Sequence, residues 1–300
     1  MTVRQLLPNE PSIPDSEWQH ALTARFLIPA LSELNAYCWD LRRRIDPVLI
    51  AAQPAKFGKA YPLGQCLEIS QVAEGLMRQP GEAVTPGPPA LGKAALSAFL
   101  QHGGALRQVW GDLRGQYFQN AFLLGTLYVD VSNDTVVATK PSVEILPFAQ
   151  SNLTPVGDFR HFMRIGGSYW RAHFLPNHVL PELAPYFPLI AAIPDGTLRF
   201  EPNSHYMVAL TAAAGFAPSA DVLGDAPLDD ALFAMLARRM QAAGLAMPAN
   251  AEAGRKQALA HCARYGAEGR AFGDAQYELA AEALRKASAQ LDAIRVTRQV

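Results

Sequence analysis

Seven prolines between residues 149 and 205 (Pro155, Pro176, Pro181, Pro185, Pro188, Pro194 and Pro202) constrain this chain more than any other feature. Each removes a backbone donor and fixes its own φ, so a long helix cannot run across them. Such a stretch is expected to wrap a core with short elements and loops, not to build one. The flanks differ. Before residue 105 and after about residue 226 the apolar residues recur at helical spacings, and between 105 and 148 they alternate as in strands.

On the N-terminal side, Asp15 or Ser16 can cap a helix that Pro29 ends or kinks. Leu31, Leu34, Cys38, Leu41 and Ile45 then share one face of a second helix, closed by Arg42, Arg43 and Arg44 at the negative end of its dipole. After a loop at 53–65 a helix is expected from Cys66 to Met77, and after a second loop at 79–90 another from Leu91 to Leu100. In Gly125–Ser132, Leu127, Val129 and Val131 point to one side, Tyr128 and Asp130 to the other. Leu106–Trp110, Thr135–Thr139 and Val143–Phe148 read as further strands. Leu228–Ala243, Asn250–Tyr265 and Gly273–Ile294 read as three C-terminal helices. The expected fold is α+β: an antiparallel sheet around residues 105–148, covered by helices from both ends of the chain. The expected division is a core over residues 1–225, including the proline-rich wrap, and a helical segment over 226–300 packed on it.

Composition excludes several classes. A formal net charge of −1 supplies no field for nucleic acid or an anionic membrane. No run of 18 apolar residues is present, and residues 1–17 lack the apolar core of a signal peptide. Three cysteines, Cys38, Cys66 and Cys262, fit neither a disulfide framework nor a zinc knuckle. A reducing compartment, the cytoplasm, is the economical expectation. No GxGxxG, P-loop, HExxH, GxSxG or CxxC occurs, so no cofactor is implied by motif.

Cys66 is the leading candidate for chemistry. It stands in YPLGQCLEIS, after a glycine-containing loop and at the expected start of a helix, where the dipole favours a thiolate. Loop, cysteine at a helix N-terminus and following strands together resemble the core of papain-like and transglutaminase-like thiol enzymes, over residues 60–135. The resemblance implies a cysteine hydrolase or acyltransferase with Cys66 as nucleophile and Asp130 as the orienting acid. Those families carry a histidine on the strand before the acid; here that place reads QYFQNAFLLGTLYVDVSND, with Gln119 and Asn120. The base would come from farther along, with His161, His173 and His205 as choices. Asn120 or Gln119 would contact an oxyanion or an amide.

Other groups carry weaker signals. Trp110, Arg114, Tyr117, Gln119 and Asn120 are of the kind that line a small-molecule or peptide pocket, and equally the kind that satisfy backbone in a loop. Asp158, His161, His173, His178 and His205 contain metal-ligand types but match no metal-site spacing; a His/Asp metal-dependent enzyme is therefore an alternative only. Asn133 and Asp134 suit a tight turn, while Asp130 on a central strand needs a partner, with Arg107, Arg114 and Lys140 as choices. A non-catalytic binding or interaction protein on a thiol-enzyme-like fold is the competing function. The C-terminal helices offer a surface for a homo-oligomer.

Overall fold

The computed structural model describes residues 5–56 and 58–291. It divides into two compact units, residues 1–155 and 156–300. The division thus falls at 155, inside the proline-rich stretch, and not at 225.

The first unit opens with helix α1 (Ser16–Leu22), which runs through a π turn and a 3-10 turn containing Pro29 into helix α2 (Leu31–Ala52). Helices α3 (Cys66–Arg78) and α4 (Pro88–Gln101) follow. A five-stranded antiparallel sheet follows: β1 (Leu106–Leu113), β2 (Tyr117–Leu124), β3 (Leu127–Asp130), β4 (Glu144–Pro147) and β5 (Leu153–Thr154), in spatial order β4-β3-β2-β1-β5. The fold is α+β, as the periodicities predict.

Alternation sorts the strand residues onto two faces. Phe122, Leu124, Leu127 and Val129 face a core built with Leu34, Cys38, Leu41 and Ile45 of α2, Ile69 and Ala73 of α3, and Leu96 and Phe99 of α4. The opposite face carries Val109, Leu113, Ala121, Leu123 and Tyr128, closed by Leu153 and Ile13. The N-terminal segment lies along β1: Trp110 donates its backbone N–H to the Asn9 carbonyl at 2.8 Å.

Three expectations fail here. Helix α2 does not close at Arg44; it continues through Pro47 to Ala52, because Arg42 is buried at 2% exposure and spends its charge inward. Residues 135–139 form no strand. A 3-10 turn at Asn133–Thr135 replaces it, held by the Thr135 hydroxyl on the Ser132 carbonyl at 2.6 Å. The segment 110–121, read as pocket or loop, is the end of β1, a turn and most of the central strand β2; the turn puts Arg114 and Gly115 in the left-handed region (φ 60° and 71°).

The second unit holds helix α5 (Phe159–Tyr169), a three-stranded antiparallel sheet of β6 (His173–Pro176), β7 (Leu189–Ala192) and β8 (Leu198–Glu201), and helices α6 (His205–Ala213), α7 (Ala217–Leu223), α8 (Asp230–Ala242), α9 (Ala251–Ala267) and α10 (Ala275–Leu291). The end of the last expected helix, residues 292–294, lies outside the described residues. The proline-rich stretch builds this unit's core and does not merely wrap one. It supplies Val179, Leu180, Leu183, Tyr186, Phe187, Ile190 and Phe200, packed with Leu236, Met240, Ala258 and Tyr265 of the C-terminal helices. Among the described residues no single helix is long and apolar enough to cross a membrane.

Candidate functional site

Cys66 is the first residue of α3, as its loop-then-helix setting predicts. The preceding chain is tied down by backbone and side chain. Gly64 N–H donates to the Thr135 carbonyl at 2.9 Å. The fully buried Gln65 donates its Nε2 to the Gln53 carbonyl at 3.0 Å, joining the start of α3 to the end of α2. Cys66 is half-buried as a residue, and the polar contact of its sulfur is an amide: Asn120 Nδ2 donates to Sγ at 3.4 Å. Burial pushes the thiol up from its ordinary value; the Asn120 side-chain and backbone N–H groups pull it down and do not prevail.

Asn120 comes from the middle of β2, directly opposite Trp110 on β1. Its Oδ1 accepts from Gln108 Nε2 at 3.4 Å, and its backbone carbonyl accepts from Ser70 of α3 at 3.4 Å and from Ser132 at 3.2 Å. Trp110 is half-buried and stacks on Phe118 with centroids 5.0 Å apart. Cys66, Asn120, Trp110 and Gln108 therefore form one row on the helix-facing side of the sheet.

Asp130 is on the other side, as its pairing with Tyr128 in the alternation requires. It is fully buried, and none of the three cations expected for it is bonded to it. Its partners are neutral donors: Gln119 Nε2 at 2.7 Å and Tyr128 Oη at 2.9 Å on one oxygen, Ser132 N–H at 2.7 Å and Ser132 Oγ at 3.0 Å on the other. Burial still lifts its carboxyl from 3.8 to about 6. Gln119 points to Asp130 and Ser132, so it does not share the sulfur with Asn120. Asp130 thus orients a glutamine and a serine, not a base beside Cys66.

The other expected site residues have local partners. Arg114 bonds Glu144 at 2.7 Å and the Ser151 carbonyl at 3.3 Å. Tyr117 is half-buried with the Lys140 ammonium 5.5 Å above its ring. Asn133 donates to the Pro141 carbonyl, and Asp134 accepts from Arg42 at 2.7 Å and from Ser142 at 2.7 Å. The first unit's two histidines are occupied elsewhere. His20 meets the Ser16 carbonyl, and His102 meets the Ala98 carbonyl and packs on Phe26.

His161 and His173 belong to the second unit. His161 sits in the first turn of α5, where Asp158 caps its backbone N–H at 2.7 Å and its Nδ1 accepts from Gly157 N–H at 3.2 Å. His173 begins β6 and is exposed. His178 is buried against the Leu223 carbonyl at 2.9 Å, and His205 stacks on Phe272. Asp158-x-x-His161 is therefore a helix cap and not a ligand pair. Among the described residues no group of three or more His, Cys, Asp or Glu side chains is placed to hold a metal ion.

Sequence reasoning missed Ser132, Ser70 and Arg42. Only the last carried a signal: an arginine four positions after Cys38 and three before Ile45, both on the core face, must be either displaced or paired. Comparison with protein-family models, with curated proteins and with solved structures gives no match.

Proposed function

We propose that this chain is a non-catalytic binding protein whose first unit uses the row of Cys66, Asn120, Gln108 and Trp110 as its contact surface for a small molecule or peptide. The observation that carries the reading is the Asn120 amide at 3.4 Å from the sulfur. On the resemblance to papain-like and transglutaminase-like thiol enzymes, an imidazole would be expected on this strand. An amide donates a hydrogen bond to sulfur but takes no proton from it, so it cannot generate the thiolate that nucleophilic catalysis requires. The thiol's upward displacement by burial agrees, since a working nucleophile is displaced downward. The half-buried Trp110 and the amides of Gln108 and Asn120 offer an aromatic plane with polar groups beside it, the usual make-up of a ligand-orienting surface.

Alkylation decides between this reading and the cysteine hydrolase or acyltransferase suggested by the position of Cys66. At pH 6, iodoacetamide followed by peptide mass analysis is expected to leave Cys66 unmodified over the time in which an activated thiol reacts fully. Rapid alkylation at that pH would restore the enzyme reading, with His161 or His173 as the base to be sought.

A further inference from the structure

The hydroxyl of Ser132 has one proton and two acceptors within reach: Asp130 Oδ1 at 3.0 Å and the Asn120 carbonyl at 3.2 Å. Asp130 is on one face of the sheet and the Asn120 side chain, on Cys66, is on the other. Ser132, fully buried, bonds to both, and its hydroxyl can reverse its hydrogen bond. We propose that Asp130 acts as a proton-operated latch on the Cys66 site, working through the Ser132 hydroxyl from the far side of the sheet. The proposal rests on the assignment of Cys66 and Asn120 as the site, and specifies how that site is regulated.

With Asp130 ionised, all its bonds must be accepted, so the Ser132 proton turns to Oδ1 and the Asn120 carbonyl keeps only Ser70 at 3.4 Å. With Oδ1 protonated, the acid donates to Ser132 Oγ, and Ser132 turns its own proton to the Asn120 carbonyl. That adds a bond to the backbone that carries the amide on Cys66. No bond other than O–H is made or broken, and the proton comes from solvent.

The surroundings favour operation near neutrality. Burial is the largest influence on Asp130 and brings its titration to about 6. Tyr128, on the same strand, and Cys66, from α3, are both pushed up, away from that range. Glu144, opposite Asp130 in the β3–β4 register, is paired with Arg114 at 2.7 Å.

Nuclear magnetic resonance on the full chain tests this. Three signals are followed between pH 4.5 and 8: the Asp130 carboxyl carbon, the Asn120 side-chain amide, and the Ala121 amide nitrogen, which shares a peptide group with the Asn120 carbonyl. The latch predicts that all three shift in the wild type with one midpoint near 6. In Ser132→Ala, Asp130 still titrates while the Asn120 and Ala121 shifts vanish. In Asp130→Asn, which resembles the protonated acid, both stay at their low-pH positions. A through-space field effect would survive in Ser132→Ala, and that result overturns the proposal. So does a wild type in which Asp130 titrates and Asn120 does not, or in which Asp130 does not titrate in this range. None of these readouts depends on a ligand, so loss of the binding reading and loss of the latch are separately visible. If Asp130→Asn does not fold, the wild type and Ser132→Ala carry the decision alone.

Discussion

A thiol at a helix N-terminus is subject to two opposed influences, and at Cys66 the unfavourable one prevails. The amide dipoles of α3 favour charge on sulfur, whereas burial beside β2 penalises it, and the Asn120 side chain bonded to Sγ is neutral. Replacing that side chain reverses the balance. Asn120→His is expected to raise the alkylation rate of Cys66 at pH 6 by at least tenfold, because an imidazolium beside the sulfur stabilises the thiolate. An unchanged rate, in a variant shown to be folded, would mean that Asn120 does not control the thiol. Asp130 gives a second residue-scale prediction. Its carboxyl is about 6 in the fold against 3.8 unfolded, so the folded state binds the extra proton. The stability it contributes is complete below pH 4 and is lost as pH rises through 6, on the order of 3 kcal/mol in all. Urea denaturation at pH 4.5 and pH 7.5 checks this: Asp130→Asn should remove that part of the pH dependence. Cys66 at a helix start was legible from a glycine loop followed by an apolar period; Asn120 was put beside it only by the resemblance to thiol enzymes, because its own strand carries no alternation that marks it. The role of Ser132 was not legible, because it depends on which face of the sheet each neighbour takes and on a hydroxyl serving both.

At the scale of elements, α2 shows how a buried cation can carry a helix beyond its local stop signals. Arg42 donates to Asp46 one turn on at 2.8 Å, and to Asp134 and the Val131 carbonyl, both at 2.7 Å. It thereby ties α2 to the turn after β3. Three arginines in a row read locally as a C-terminal cluster, and only the fold decides that one of them turns inward. Arg42→Met would leave Asp134 and a carbonyl buried without their partner, with an expected loss of about 3–5 kcal/mol in urea unfolding. Arg43→Ala, whose side chain is largely exposed, should cost under about 1 kcal/mol. Helix contacts depend equally on missing atoms. A Cβ on Gly92 of α4 would collide with the Glu33 carbonyl of α2, and one on Gly254 of α9 with the His178 carbonyl. Gly92→Ala and Gly254→Ala should each destabilise by about 1–3 kcal/mol, since carbonyls inside a packed unit have nowhere to move. The strand β2 was missed because its sequence, YFQNAFLL, is buried on both faces and lacks polar alternation.

For the whole molecule, the informative fact is that each unit contains its own core. The apolar clusters of the first unit use residues up to Leu153, and that of the second begins at Val179. Residues 1–155, produced alone, are therefore expected to unfold cooperatively in urea and to keep Cys38 protected from alkylation. A gradual, non-cooperative loss of structure would contradict the independence of that core. The boundary was not legible because prolines mark turns without saying whether the residues between them are apolar enough to pack; Val179, Tyr186, Phe187 and Ile190 are. The fold class, by contrast, was legible from period alone, since alternation and helical spacing occupy different parts of the chain.

A binding role for this site requires Cys66 to be a neutral thiol, and thiolate absorbance near 240 nm measures that directly. Titrated from pH 5 to 10, the difference between the wild type and Cys66→Ala should stay flat through the neutral range and rise only on the alkaline side, later than for an ordinary exposed thiol. A rise complete below pH 7 would show an activated cysteine and contradict the central claim.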